Sequence, residues 1–196
     1  MLEQPIRDRR AERHAATRSE ILDAAWEVAR AEGLAAISLR DVARRVGMQA
    51  PSLYSYFDSK HAIYDAMFAQ GQDQLRAAMA HLPEQDVTRK DIHEGARVFF
   101  DFCTEDEVRY FLLFQRVLPG FVPSDDSYAL AVRNLGRFSG QLRSAGVHDP
   151  RAVDLWTALL SGLTAQQISN DPGGDRWSRL LDESVELLCD HIGVPR

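Results

Sequence analysis

The chain has 196 residues, of which 45% are apolar and 27% charged, and this ordinary globular composition excludes a wholly disordered protein. No apolar run approaches the roughly 20 residues that cross a bilayer, and the first eighteen residues lack the apolar segment of a signal peptide, so we expect neither export nor membrane insertion. Cys103 and Cys189 form no CxxC pair, and we expect them to be reduced thiols of a cytoplasmic protein.

The formal net charge of -6 is unevenly distributed. Residues 1–60 carry 10 Lys and Arg against 9 Asp and Glu, whereas residues 61–196 carry 13 against 20. Five arginines crowd the first eighteen residues: Arg7, Arg9, Arg10, Arg13 and Arg18. We interpret residues 1–16 as a flexible basic arm suited to a polyanion, and a solvated disordered tail is the alternative.

Helical periodicity dominates the chain, and no segment alternates like a strand, so the pattern predicts an all-α fold of about nine helices. The first helix is predicted to begin at a capping box, Thr17–Glu20, and to end at Gly33. The second is predicted to run from its N-cap Ser38 to Gly47, which makes a tight turn possible.

A short third helix is predicted from Pro51, which suits a first helical turn, to about Phe57. Asp58 or Ser59 caps a fourth helix that Pro83 closes. The remaining predicted helices span residues 88–103, 105–117, 124–145, 149–169 and 176–192. We therefore expect a small helical domain at 17–62 and a larger helical domain at 63–196.

Two helices joined by a glycine turn, the second of them short, are typical of a helix-turn-helix, whose second helix enters the major groove of DNA. Leu53 and Phe57 are four residues apart and are predicted to face inward. The outward residues are then Gln49, Ala50, Ser52, Ser55 and Tyr56. These residue types can contact base edges, thymine methyl groups and phosphates, although a helical corner with solvated polar residues is the alternative.

The stretch TRSEILDAAWEVARAEGLAAISLRDVARRVGMQAPSLYSYFDSKHAIYDAMF resembles the DNA-binding domain of the TetR family of one-component repressors. The resemblance implies that Gln49, Ala50, Pro51 and Ser52 face bases. It also implies that Arg40 reaches a base or phosphate, that Tyr54, Tyr56 and Lys60 hold the DNA backbone, and that Thr17 meets a phosphate through its side chain or the helix amides.

The stretches FLLFQRVLPGF, DLWTALLSGL and QQISNDPGGDRWSRL resemble a ligand-binding and dimerising domain of the same family. The resemblance implies that the last two helices pair with a second subunit in a four-helix bundle. The expected interface residues are Leu159, Leu163, Trp177, Leu180, Leu181, Val185 and Leu188. Packing inside one subunit is the competing explanation for these residues.

Aromatic residues concentrate in the middle of the chain and form either a core or a ligand pocket. The predicted pocket residues are Phe100, Cys103, Phe111, Phe114, Gln115, Phe138 and Trp156, with Asn134 or Gln167 as further orienting groups. The resemblance implies that a small, mostly apolar ligand releases the homodimer from its operator, and that the fourth helix transmits the change.

The chain has no GxSxG, HExxH, Walker or GxGxxG motif, so we expect no enzyme and no cofactor. The groups nearest to metal-site spacing are His93-Glu94 and Cys189-Asp190-His191, and both lack the further ligands of a closed zinc site. The alternatives to a ligand-responsive regulator are a small all-α enzyme and an architectural DNA-binding protein. A DNA footprint distinguishes these three functions.

Overall fold

The computed structural model describes residues 9–196 and contains nine α-helices and no strand within that range. The predicted all-α fold is confirmed. The helices are α1 (Arg9–Glu32), α2 (Leu39–Arg45), α3 (Ala50–Leu53), α4 (Lys60–Ala78), α5 (Arg89–Thr104), α6 (Glu107–Phe114), α7 (Asp125–Ser144), α8 (Arg151–Asn170) and α9 (Leu181–Ile192). Within these residues, none of the helices combines the length and the apolar character that crossing a membrane requires.

The chain packs as two compact units. The first unit ends at Phe68 and also includes Arg116–Pro123, and the second comprises Ala69–Gln115 and Ser124–Arg196. The predicted division between residues 62 and 63 concerns function and stays a prediction.

Helix α1 begins at Arg9, so the predicted start at Thr17 is wrong. Residues 9–16 read RRAERHAA, and Arg, Ala and Glu are good helix formers that extend the helix upstream. This part of the expected flexible arm is therefore helical, and residues 1–8 lie outside the described residues.

The core of the first unit forms around the apolar face of α1, where Ile21, Ala25 and Ala29 are fully buried. The Tyr64 hydroxyl donates a 2.6 Å hydrogen bond to Leu34 O, which joins α4 to the 3₁₀ turn after α1. This contact fixes the chain between α1 and α2.

In the second unit, α5 packs against α6, α8 and α9, and α8 packs against α7 and α9. The buried residues of this core include Ile92, Ala96, Phe100, Leu142, Trp156, Leu160, Leu163, Leu181, Val185 and Cys189. The predicted capping box of α5 is present, since Thr88 and Asp91 satisfy each other's main-chain amides.

Charged side chains link the polar edges of α5 and α9. Arg89 Nη1 lies 2.7 Å from Glu186 Oε1 and 2.6 Å from Asp190 Oδ1, and His93 Nε2 lies 2.8 Å from Glu186 Oε2. The hydrogen bond from His93, followed by that from Arg89, holds the pKa of Glu186 below its usual value. Hydrogen bonding to Arg89 first and Arg196 second lowers the pKa of Asp190.

Helix α9 begins at Leu181, later than the predicted residue 176, because the preceding residues form a separate turn. Gln167, which is 4% exposed, holds this turn. Its Oε1 accepts hydrogen bonds from Trp177 N and Ser178 N, each 3.1 Å long, and its Nε2 donates to Asp171 O and Gly174 O. Both ends of this amide are engaged, so Gln167 is a structural residue.

Candidate DNA-binding surface and ligand cavity

The turn between α2 and α3 is closed by two main-chain hydrogen bonds and contains a residue with positive φ, a conformation that glycine adopts easily. Gly47 has a φ of 68°, its N–H donates to Arg44 O over 3.3 Å, and Met48 N donates to Ala43 O over 2.9 Å. These two bonds form a Schellman motif, which ends α2 sharply. At the other end of α2, the Ser38 hydroxyl accepts the N-capping bond from Asp41 N over 3.1 Å, as predicted.

Helix α3 has a buried side and an exposed side, as the spacing predicts. Leu53 is 0% exposed and Phe57, just after the helix, is 2% exposed. The outer face, by which we mean Gln49, Ala50, Pro51, Ser52, Tyr54 and Ser55, is exposed except for the half-buried Ala50. The helix itself spans only Ala50–Leu53, since the chain continues to residue 56 as a turn in which Ser55 Oγ donates to Ser52 O over 2.7 Å.

The turn after α3 is fastened to α1. Arg18 Nη1 donates to Tyr56 O over 2.7 Å, and the guanidinium lies 4.0 Å from the centroid of the Phe57 ring. The ring of His14 stacks on that of Tyr56 at 4.6 Å. The sequence does not indicate these contacts of Arg18 and His14. His14 lies in the predicted arm, and Arg18 stands out only as a member of the basic cluster.

Three residues predicted to contact DNA lie away from α3 and from the residues that directly flank it. Arg40 is exposed and has no hydrogen bond or ion pair with the residues of the described range. Lys60 is half-buried, and its Nζ donates to Ala35 O over 2.6 Å. Thr17 is half-buried within α1, so the expected contribution of helix amides at Thr17 is wrong, and only its side chain is available.

The second unit contains a cavity of about 280 Å³ among α4, α5, α6, α7 and α8. Its apolar lining consists mainly of Leu75, Met79, Leu82, Ile92, Phe99, Leu113, Phe114, Leu135, Phe138, Trp156 and Leu160. Its polar lining consists of Gln72, Arg76, Asp91, Asn134, Arg137, Gln141, Thr157 and Ser161. A volume of this size and character suits a small, mostly apolar molecule.

Of the predicted pocket residues, Phe114, Phe138, Trp156 and Asn134 line the cavity. The lining does not include Phe100, Cys103, Phe111 or Gln115. Phe100 and Cys103 are buried elsewhere in the core, and Gln115 is exposed and donates to Tyr110 Oη over 2.9 Å. Sequence reasoning missed Gln72 and Gln141, because a buried polar residue in a helix gives no pattern of its own.

Several residues of the expected subunit interface are already covered within one subunit. Leu163, Leu181 and Val185 belong to the core of the second unit, with exposures of 9%, 4% and 0%, so their assignment to the interface is wrong. Leu159, Trp177, Leu180 and Leu188 are half-buried. Leu155 and Leu187, which are not among the expected interface residues, are 42% and 66% exposed.

Comparison with known proteins supports the interpretation of the first unit. Residues 21–67 match the family model described as bacterial regulatory proteins, tetR family. The transcriptional activator FasR of Mycolicibacterium smegmatis is 31% identical over 99 residues, which are 50% of this chain and 45% of FasR. The match to FasR therefore spans less than half of that relative's length.

Two further proteins resemble nearly the whole chain. MftR of Mycobacterium tuberculosis, whose proposed role is transcriptional regulation of mycofactocin biosynthesis, is 25% identical over 190 residues, 93% of this chain and 89% of MftR. The crystal structure of the regulator FadR from Bacillus subtilis in complex with stearoyl-CoA has a TM-score of 0.71 at 16% identity, and it covers 91% of this chain and 99% of FadR. The likeness to FadR shows a shared fold. By the family-model match, residues 21–67 belong to the tetR family of bacterial regulatory proteins, and the chain resembles a bacterial transcriptional regulator over nearly its whole length.

Proposed function

We propose that the protein is a ligand-responsive repressor that binds a palindromic operator as a homodimer and is released by a small, mostly apolar ligand. The observation that carries this proposal is the exposed outer face of α3 above the buried Leu53 and Phe57. We assign DNA binding to residues 17–62 and ligand binding and dimerisation to residues 63–196.

In the proposed complex, the outer face of α3 lies in the major groove. Gln49 and Ser52 exchange hydrogen bonds with base edges, and Ala50 and the Pro51 ring contact thymine methyl groups. Arg40 has no partner among the described residues, which leaves its guanidinium available to a base or phosphate. The sugar-phosphate backbone is bound by Tyr54, Ser55, Tyr56, Lys60 and Thr17.

One short helix covers only a few base pairs, so the proposal requires two copies. A twofold axis would hold two α3 helices about 34–36 Å apart, which matches successive major-groove faces of a palindrome. The available apolar residues on α8 are Leu155 and Leu159, which lie on one helix face because they are four residues apart. Leu187 lies on α9, and Leu180 lies in the turn just before it.

The cavity in the second unit supports a ligand switch. A small apolar molecule would favour a subunit arrangement in which the two α3 helices no longer fit the operator, and α4 would transmit this change. The ligand must then bind that arrangement more tightly than the DNA-bound one, and by linkage DNA weakens the ligand by the same factor. FadR, which shares the fold, holds the long-chain ligand stearoyl-CoA.

A footprint on DNA selected from a random pool tests the proposal. We expect a discrete, symmetric protected site whose affinity falls steeply with salt, because each phosphate contact releases counterions. Gln49→Ala should relax base preference at the position that Gln49 contacts, whereas Gln85→Ala, at an exposed glutamine of the second unit, should leave the footprint unchanged. Diffuse protection would indicate an architectural protein, and no protection at low salt would contradict DNA recognition by α3.

The sign of regulation is tested separately, because the relative FasR is named as an activator. Transcription from a promoter that carries the selected site should fall when the protein is added. A rise in transcription would replace the proposed repressor with an activator and leave the operator assignment intact.

A further inference from the structure

Gln72 is a polar residue enclosed in the mostly apolar cavity. It lies on α4, lines the cavity and is 2% exposed. A buried side-chain amide without partners is unfavourable by about 1–3 kcal/mol. Each of the two polar atoms of the side-chain amide is therefore expected to have a hydrogen-bond partner.

The side-chain amide of Gln72 is oriented by Asn134, whose own orientation is set by the main-chain carbonyl of Gln72. Asn134 Nδ2 lies 3.0 Å from Gln72 O, which can only accept, so the donor end of Asn134 must face it. The same Nδ2 lies 2.9 Å from Gln72 Oε1 and donates to it as well. The acceptor end of Gln72 is therefore used by Asn134, and the donor end, Nε2, is left.

No residue between 9 and 196 accepts a hydrogen bond from Gln72 Nε2. Nε2 is also not one of the fully enclosed side-chain atoms that lack a hydrogen bond, so it borders open space. Since the residue is 98% covered and lines the cavity, that space is the cavity. The cavity wall thus presents an oriented amide donor that has no acceptor among the described residues.

The charged residues of the cavity wall are already engaged. Arg137 donates to Glu84 Oε1, Met79 O and Leu82 O over 2.8, 2.8 and 2.7 Å. Arg76 donates through Nε and Nη2 to Asp73 Oδ1. Asp91 accepts from the main chain and hydroxyl of Thr88. None of these ionic groups requires a charged ligand for its compensation.

We propose that the cavity takes a neutral, mostly apolar molecule that bears a carbonyl oxygen, and that Gln72 Nε2 donates a hydrogen bond to that oxygen. This inference rests on the proposed ligand-binding function of the second unit. The donor has no acceptor among the described residues, and a carbonyl oxygen is a strong uncharged acceptor. Asn134 is a positioning residue, because it holds the Gln72 amide in the orientation that presents Nε2.

Three probes of one shape separate the parts of this proposal: 2-acetylnaphthalene, the hydrocarbon 2-isopropenylnaphthalene, in which a methylene replaces the oxygen, and the anion 2-naphthoate. Dissociation constants are measured by titration calorimetry with the full chain and with Gln72→Leu. The leucine variant keeps the main-chain oxygen that anchors Asn134. Gln74→Leu is the control, since Gln74 lies on the same helix, is exposed and does not line the cavity.

Gln72→Leu should reduce the preference for the ketone over the hydrocarbon by about 3- to 10-fold, the value of one neutral hydrogen bond. Gln74→Leu should leave the preference unchanged, and 2-naphthoate should bind at least about 10-fold more weakly than the ketone because its charge has no partner. In the wild-type protein, the carbonyl stretching band of bound 2-acetylnaphthalene should lie below its position in hexane, a readout that needs no variant.

Each contrary result of these measurements would overturn a different part of the proposal. If ketone and hydrocarbon both bind but Gln72→Leu leaves their ratio unchanged, or if the bound carbonyl band stays at its hexane position, the role of Gln72 is wrong and the cavity remains a ligand site. Tighter binding of 2-naphthoate than of the ketone overturns the neutral ligand class. If none of the probes binds, the proposed ligand cavity itself fails, and the inference fails with it.

Discussion

Arg18 of α1 donates a hydrogen bond to the main-chain oxygen of Tyr56 over 2.7 Å, so the first helix directly holds the turn that ends the recognition segment. The same guanidinium lies 4.0 Å above Phe57. We expect Arg18→Ala to lower the free energy of unfolding by about 1–3 kcal/mol, since it removes a charged hydrogen bond and a cation–π contact. It should also weaken operator binding, as measured by fluorescence anisotropy.

Arg18→Lys distinguishes positioning from charge. Lysine keeps the positive charge but lacks the planar fork that bonds Tyr56 O and stacks on Phe57 at once. If Arg18 positions the turn, the lysine variant should lose operator affinity much as the alanine variant does. The salt dependence of operator binding should then change little. Wild-type affinity in Arg18→Lys, together with a smaller salt slope in Arg18→Ala, would mean that Arg18 acts as a phosphate contact.

The side chain of Leu113 packs directly against Gly71 of α4, where there is no room for a Cβ atom. A Cβ at Gly71 would lie 2.9 Å from Leu113 Cδ2 and 3.0 Å from Cδ1, and Leu113 also lines the cavity. Leucine methyl groups can move, so Gly71→Ala should push this side chain into the cavity. We expect affinity for 2-acetylnaphthalene to fall by about 10-fold or more, in line with an overpacking penalty of about 1–3 kcal/mol.

Gly136→Ala is the matched control, because a Cβ at this helical glycine meets nothing within 4 Å. It should leave probe affinity unchanged and raise stability by about 0.5–1 kcal/mol through helix propensity. The double variant Gly71→Ala/Leu113→Ala should recover binding, since the displaced side chain is shortened. If Gly71→Ala binds the probe as the wild type does, Leu113 does not limit the cavity.

The helices were predictable where short-range chemistry determines them. Ser38 and the Thr88–Asp91 pair cap the helices expected from their spacing, and Gly47 takes the positive φ that the turn requires. The predicted helix start at Thr17 is wrong because a Thr followed by Glu at the third position also occurs inside a helix whose upstream residues are good helix formers.

The cavity and the subunit surface were harder to predict, because they depend on which face of each helix other helices cover. Leu163 and Val185 have the same residue types and spacing as interface residues, yet the core of one subunit covers them. Gln72 gives no signal in the sequence, since its role depends on a hydrogen bond with Asn134, 62 residues away. Tertiary contacts of this kind leave no trace in local periodicity.

The carboxylates that join α9 to α5 should make the protein sensitive to acid. The pKa of Glu186 is held below its usual value of 4.5 by hydrogen bonds from His93 and Arg89, and that of Asp190 below 3.8 by Arg89 and Arg196. A lowered pKa in the folded state contributes stability that is present above the unfolded pKa and lost as the pH falls through the folded value. Thermal melting should therefore shift to lower temperature as the pH is lowered from 5 towards 3.

Glu186→Gln should make that acid-induced decrease shallower and lower the melting temperature at neutral pH, because the charged partner is gone. Glu183→Gln is the control, since Glu183 is exposed on the same helix and forms no ion pair with the residues described. Identical melting curves for the two variants between pH 3 and 5 would show that the links between α5 and α9 contribute nothing measurable.

Both cysteines should resist alkylation in the native protein. Burial raises the pKa of Cys103 to about 12 and that of Cys189 to about 11, and both thiols are free. Because the thiolate is the reactive form, iodoacetamide at pH 8 should label them at least about 100-fold more slowly than a small free thiol. Rapid labelling without denaturant, followed by mass spectrometry, would show that one of these sites opens readily.

The exposed leucines of α8 and α9 should hold together the two subunits of the proposed homodimer. Leu187 is 66% exposed and Leu155 is 42% exposed, although both are large apolar residues. A charge placed within such an interface has no partner and is desolvated, so Leu187→Glu should shift the protein from dimer to monomer in light scattering after gel filtration. Operator affinity should fall with it, because each monomer contacts only one half-site.

Val132→Glu is the matched control, since Val132 is a 55% exposed apolar residue on α7, outside the proposed interface. It should remain dimeric and bind the operator normally. If Val132→Glu becomes monomeric while Leu187→Glu stays dimeric, the subunits meet through α7. If the wild-type chain is monomeric at every concentration tested, the exposed leucines have another role, and recognition of a palindrome by a stable homodimer is wrong.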